Sequence, residues 1–167
     1  MARVLATDGL DPECVEILLE KGHNVDMIHF ERNELLKGAI SGYDAIIIRS
    51  ATKVDSEVLS ANMSPKSRIR LIVRAGVGLD NIDLEKASEL GVLVKNTPTA
   101  STKAVVEFTI GHLLAGVRNI SRADRAIRST VWAKKSSMGT ELSGKNLGLV
   151  GYGRISRGVA LVARSMG

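Results

Sequence analysis

The chain has 167 residues, 44% of them apolar but only 3% aromatic, with a formal net charge of +5. This length suits one domain, or one domain plus a piece of another. The single Cys14 excludes an internal disulfide, no apolar run approaches transmembrane length, and the N-terminal MARVLATDG reads as a strand rather than a signal peptide, so a cytoplasmic location is expected.

An aliphatic core fits the Val/Ile/Leu strands of a buried parallel sheet. The positive balance is either a solvated basic surface or an attraction for an anionic ligand. It suits nucleic acid less well, because no Lys/Arg cluster is interleaved with stacking aromatics.

In chain order, Val4-Leu5-Ala6 is a first strand. A helix follows from Pro12 to about Lys21, capped by Asp11 and stopped by Gly22. Val25 to Ile28 is a second strand, and a weaker helix is expected over Glu34 to Ile40. Ala45-Ile46-Ile47-Ile48 is a third strand, too continuous to be half exposed. A short helix lies near Ser56 to Ala61, a fourth strand at Leu71-Ile72-Val73, a helix at Asp83 to Leu90 closed by Gly91, and a fifth strand at Val92-Leu93-Val94. Strands alternating with helices predict an α/β fold, a doubly wound parallel sheet of flavodoxin-like order 2-1-3-4-5.

Pro98 holds Thr97 extended and ends this first unit, which gives a boundary near residue 98. A long helix then begins at Ser101 or Thr102. Val106, Ile110, Leu113, Val117 and Ile120 recur at spacings of three and four, and the pattern continues, more polar, to about Ser129. Gly111 and Gly116 within it suggest close packing, here against another subunit. A polar connector spans Lys134 to Gly144. The run Leu147-Gly148-Leu149-Val150 reads as a strand, breaking into Gly151-Tyr152-Gly153-Arg154-Ile155-Ser156 before a helix. Strand, glycine turn and helix make the first βα unit of a Rossmann dinucleotide-binding domain. In it Gly151 makes the tight turn, Gly153 admits a pyrophosphate, and the helix presents unpaired N–H groups to that anion. An ordinary glycine-rich turn without a ligand has the same local pattern. The third fingerprint position carries Ser156 in place of Gly or Ala.

Ligands of parallel sheets bind beyond the carboxyl ends of the strands. Those ends carry Asp8-Gly9, His29, Arg49-Ser50-Ala51-Thr52, Arg74-Ala75-Gly76-Val77-Gly78 and Lys95-Asn96. Arg49 can pair with an anion through its fork of donors, and Gly76-Val77-Gly78 leaves backbone N–H groups open to a carboxylate. Asp80-Asn81-Ile82-Asp83 caps the next helix. Capped turns with solvated arginines would have the same sequence, so both readings stand here. GTELSGK at 139–145 is not a P-loop, because Asn146 replaces the required Ser/Thr and the run precedes a strand. His23, His29 and His112 lack metal-ligand spacing, and His112 is expected to be packed within the long helix. No nucleophile-elbow serine is present. A receiver-type phosphoacceptor is excluded because Arg49 stands where its Asp would be.

Taken together, Arg49 to Val54, Arg74 to Asp83, Asn96-Thr97-Pro98, Val106 to Gly111, Met138 to Leu142 and Gly151 to Ile155 resemble the D-isomer-specific 2-hydroxyacid dehydrogenase family, in order and spacing across nearly the whole chain. The resemblance implies a substrate-binding domain over residues 1–98 and an incomplete NAD-binding domain over 99–167. It implies that Arg49, Ser50, Ala51, Thr52, Arg74, Gly76 and Gly78 hold the substrate's acidic groups. Gly151, Gly153, Arg154 and Ile155 would meet NAD at its pyrophosphate, with Val77 near the nicotinamide. The helix from Ser101 resembles the family's dimer contact, and Trp132 a family Trp near that interface.

The implied reaction is NAD-dependent oxidation of a D-2-hydroxy acid, with 3-phosphoglycerate, oxidised to 3-phosphohydroxypyruvate in serine biosynthesis, as the implied substrate. By the same likeness the catalytic Arg, Glu and general-base His fall beyond residue 167. No catalytic residue is therefore assigned, and the 167-residue chain by itself is expected to be inactive. A non-catalytic dimerisation or ligand-binding module of the same descent is the alternative. One local departure is Thr130, where the family has Gly, which disfavours a positive-φ turn there.

Overall fold

A computed structural model describes residues 1–167. The chain divides into two compact units, Met1–Thr99 and Ala100–Gly167.

The first unit carries five parallel strands: β1 (Arg3–Ala6), β2 (Asn24–Met27), β3 (Ala45–Ile48), β4 (Leu71–Arg74) and β5 (Leu93–Asn96). Their order is β2-β1-β3-β4-β5, the expected flavodoxin-like order. Four helices connect them: α1 (Pro12–Glu20), α2 (Arg32–Leu35), α3 (Ser56–Asn62) and α4 (Leu84–Glu89). Their starts follow local chemistry. Asp11, Asp55 and Asp83 each occupy an N-cap and accept a backbone N–H from the first turn, at Glu13, Val58 and Lys86.

The largest buried cluster lies on the face of the sheet to which Leu5 points, while Val4 and Ala6 are buried on the other. Leu5, Ile46 and Ile72 occupy one register row across the three central strands and are fully buried. Ile48, Leu35, Val58, Leu59 and Ala87 pack into the same cluster. The buried Asn62 ties α3 to the end of α2 and the turns after it. Its Nδ2 donates to the Leu35 carbonyl at 2.7 Å and its Oδ1 accepts from Ile40 N–H at 3.0 Å. A buried amide with its polar groups matched is tolerated where an unmatched one would not be.

Several boundaries in this unit differ from expectation, most by a single residue. The helix expected over Glu34–Ile40 is a single turn, because Gly38 (φ +87°) leaves the right-handed region and the chain continues as turns. The second strand starts one residue earlier, and the fifth runs Leu93–Asn96 rather than 92–94. In both, pairing with the neighbouring strand sets the ends, not the apolar run itself.

The second unit contains α5 (Thr102–Val117), α6 (Ile120–Arg128) and α7 (Arg154–Ser165). The single helix expected to run to about Ser129 is broken at Asn119, which sits in the left-handed region (φ 55°, ψ 30°). Its Nδ2 donates to the Met138 carbonyl at 2.7 Å. Asn is among the few side chains that visit this conformation readily. Within the chain itself, an added Cβ at Gly111 or Gly116 would meet nothing within 4 Å. The close approach is instead at Gly158 of α7, where a Cβ would stand 2.6 Å from Val106 Cγ2. Val106, Ile110 and Val159 form this unit's small core.

The strand expected at Leu147–Val150 does not form. A strand is held by its ladder, this unit offers no second strand, and Val150 is fully exposed. His112, expected to be packed, is exposed, with its ring edge-on to the exposed Phe108 at a centroid distance of 4.2 Å. Thr130 adopts φ 59°, against expectation. The end of α6 forces it there: Val131 N–H bonds to Ala126 O and Thr130 N–H to Ile127 O, both at 2.9 Å, which is the Schellman closure that needs a left-handed residue. No helix of the chain is long and apolar enough to cross a membrane.

Candidate functional site

The loops after β3 and β4 leave the sheet side by side, because Ile48 and Arg74 are register partners at the ends of neighbouring strands. The structure therefore brings Arg49, Ser50, Ala51 and Thr52 to the same sheet end as Arg74, Gly76, Val77 and Gly78. Residues 49–51 are exposed, whereas Thr52 is 3% exposed and turns inward. The N–H groups of Ser50 and Ala51 have no partner within the chain, and no carboxylate pairs with the Arg49 guanidinium.

Two side chains define the shape of the first loop. Asp8, in the segment after β1, has a side chain only 4% exposed. Its Oδ2 accepts the backbone N–H of Arg49 at 2.7 Å and that of Thr52 at 3.0 Å. Its Oδ1 accepts the Thr52 hydroxyl at 2.5 Å and the Thr7 hydroxyl at 3.2 Å. Burial pushes this carboxyl up, but the Thr52 hydroxyl and the N–H donors outweigh it and hold Asp8 below the ordinary carboxylate range. From the other side, Asn81 Nδ2 donates to the carbonyls of Arg49 and Thr52, both at 2.7 Å. A parallel bridge between Val54 and Ile82 continues the contact. His29 Nδ1 lies 3.8 Å from Asp8 Oδ1.

The second loop is built around a guanidinium. Arg74 lies against Gly76, where a Cβ would overlap it, and its Nε is buried with no hydrogen-bond partner. A buried, unmatched donor on a cation is costly unless an acceptor reaches it. Gly76 O accepts Thr97 N–H at 3.0 Å, and Val77 O accepts Asn96 Nδ2 at 2.6 Å. This turns the carbonyls toward the end of β5. Val77 is exposed at the crest, and neither its N–H nor that of Gly78 has a partner within the chain.

In the second unit, Gly151 (φ +84°) makes the turn and Gly153 is the N-cap of α7, both with open space where a Cβ would stand. The first helical bond of α7 is Arg157 N–H to Gly153 O at 3.0 Å, so the N–H groups of Ile155 and Ser156 lack an intrahelical acceptor. A twelve-residue helix opening behind two bare glycines fits a pyrophosphate. No group of three or more His, Cys, Asp or Glu side chains could hold a metal.

Sequence reading placed every one of these loops but missed the roles of Asp8 and Asn81. Asp8 was visible only as a polar residue ending a strand, and Asn81 only as part of a capping run. In the structure Asp83 makes the cap and Asn81 braces the loop. Their signal lies in separations of 41 and 32 residues, which only strand pairing closes.

The family model for the D-isomer specific 2-hydroxyacid dehydrogenase catalytic domain matches residues 4–160. The chain belongs to that family. It is 42% identical over 166 residues to a hydroxypyruvate reductase of Thermotoga maritima, spanning 99% of this chain and 53% of that protein. It is 40% identical over 168 residues to the D-3-phosphoglycerate dehydrogenase of Sus scrofa, spanning all of this chain and 31% of that one. Among solved structures, the NAD+-bound 3-phosphoglycerate dehydrogenase of Entamoeba histolytica superposes with a TM-score of 0.77 at 29% identity, over 99% of this chain and 51% of that one. The chain thus spans about half, or less, of the length of these relatives.

Proposed function

We propose that this chain carries the substrate-side loops and the opening glycine turn and helix of an enzyme that oxidises a D-2-hydroxy acid with NAD. The favoured substrate is 3-phosphoglycerate, oxidised to 3-phosphohydroxypyruvate. The observation that carries this reading is the pair of adjacent loops at one sheet end, with the exposed Arg49 and the unmatched Arg74 Nε beside free N–H groups at residues 50, 51, 77 and 78. Two cations and several oriented donors suit a small acid with more than one anionic group. The first unit then serves as substrate-binding domain and the second opens the NAD-binding domain. In that domain Gly151 and Gly153 give the pyrophosphate room, and the N–H groups of Ile155 and Ser156 bind it. Bound NAD supplies the hydride acceptor. Residues 1–167 by themselves bind these ligands without turning them over, since the family's proton-transfer groups have no counterpart among them.

Titration of the isotope-labelled chain tests this. With 3-phosphoglycerate, the amides of Ser50, Ala51, Val77 and Gly78 should shift, and Arg49→Ala should abolish the response. With NAD, the amides of Gly153, Ile155 and Ser156 should shift. Silence at all of these positions would overturn the binding assignments. Reduction of NAD by this chain with 3-phosphoglycerate would overturn the claim that it is inactive alone.

A second reading, a dimerisation module, is favoured by exposed apolar side chains in and after α5 and α6: Phe108, Ile120, Ile127 and the 80% exposed Trp132. Light scattering that gives a dimer while both titrations stay silent would select it.

A further inference from the structure

The Arg49–Thr52 loop is held from two sides by groups that no part of the reaction requires. Asp8 takes the N–H groups of Arg49 and Thr52 inward, and Asn81 takes the carbonyls of the same two residues. The consequence is selective. Of the loop's four N–H groups, those of Ser50 and Ala51 alone remain for an anion, and the two carbonyls that would repel it are turned away. A carboxylate so close to an anion site opposes the ligand by charge, so its presence calls for another role. Ionised, Asp8 is an acceptor only, and four donors converge on it: the two N–H groups, the Thr52 hydroxyl and the Thr7 hydroxyl. The Thr7 and Thr52 hydroxyls lie 2.8 Å apart, so the set forms one connected network.

We propose that Asp8 and Asn81 are positioning residues that fix the Arg49–Thr52 loop in the form that receives the substrate's anionic group. This rests on the reading of that loop as the anion site. The role of Asp8 is one of shape rather than charge. An amide at position 8 can still accept both N–H groups through its oxygen. Its NH2 can donate to Thr52 Oγ1, which has free lone pairs. Asp8→Asn should therefore preserve the loop, and Asp8→Ala should release it.

Two measurements on the full chain separate the parts. Amide hydrogen exchange without ligand reads loop order. In Asp8→Ala the Arg49 and Thr52 amides should lose protection by about tenfold or more, while Asp8→Asn stays within about threefold of wild type. The exchange is scored against Leu5, Ile46 and Ile72, so general loosening of the sheet is divided out. An unchanged loop-to-sheet ratio in Asp8→Ala overturns the proposal.

Titration with 3-phosphoglycerate, followed at the Ser50 and Ala51 amides, reads the site. Asp8→Ala and Asn81→Ala should each weaken binding by about tenfold, and Asp8→Asn by no more than about threefold. Binding in Asp8→Ala equal to wild type overturns the positioning role, as does Asp8→Asn failing as badly as Asp8→Ala. If wild type itself gives no response while its Arg49 and Thr52 amides are protected, the assignment of the loop to the substrate fails. The bracing is then judged by exchange alone.

Discussion

The two units of this chain reach order by different means. Met1–Thr99 closes a five-stranded parallel sheet, and fourteen buried apolar side chains form one cluster beneath it. Ala100–Gly167 has no strand pairing and a buried core of three residues, Val106, Ile110 and Val159. Yet the second unit reproduces its glycine turn and helix start as faithfully as the first reproduces its capped helices. Local chemistry is enough to shape a turn such as Gly151–Gly153 or a cap such as Asp55. It is not enough to make a strand, whose hydrogen bonds all go to a neighbour.

The sharpest way to break that contrast is to damage each core in turn. Ile72→Ala removes a fully buried side chain at the centre of the sheet and should cost about 2–5 kcal/mol. Val159→Ala should cost less, about 1–2 kcal/mol, because a shallower core has less packing to lose. Denaturant melts followed separately at amides of each unit would show this. Equal losses would contradict the difference in core depth.

Acid should act on the first unit. Asp8, Asp44 and Asp55 all lie there, and all titrate below their ordinary value. For Asp8 and Asp55, burial opposes the shift and donated hydrogen bonds outweigh it; for Asp44, the Arg3 N–H leads. A carboxyl whose folded pKa is depressed adds stability that is fully present above its unfolded value, about 4, and is lost as pH falls through the folded one. Unit 1 should therefore weaken progressively below about pH 4. Asp8→Ala should flatten part of that slope, measurable as a smaller drop in Tm between neutral and acid buffers.

The smallest effect belongs to the second unit alone. Thr130 is a β-branched residue held at φ 59° by the Schellman closure of α6. Thr130→Gly removes a left-handed penalty of about 1–2 kcal/mol and adds back some unfolded-chain entropy. The net gain should be up to about 1 kcal/mol, read as a higher melting midpoint at α6 amides with β1–β5 unchanged. A loss of stability would mean that the Thr130 hydroxyl, which donates to Ser129 O at 2.7 Å, matters more than its backbone strain.

The sequence alone determined the kinds of most elements and the position of the loops that end β3 and β4. Continuous aliphatic runs such as Ala45–Ile48, caps such as Asp11 and Asp83, and glycines at Gly22, Gly91 and Gly151 act within a few residues of themselves, so they could be read without coordinates. Tertiary structure decided everything that depended on a distant partner: the ends of β2 and β5, the failure of Leu147–Val150 to become a strand, and the left-handed backbone of Asn119. It also turned Thr52 inward and gave Asp8 and Asn81 a shared loop to hold. The physical reason is range. A cap or a turn is a contract between neighbours in the chain, whereas ladders, cores and braced loops are made between residues that only folding brings within a hydrogen bond of each other.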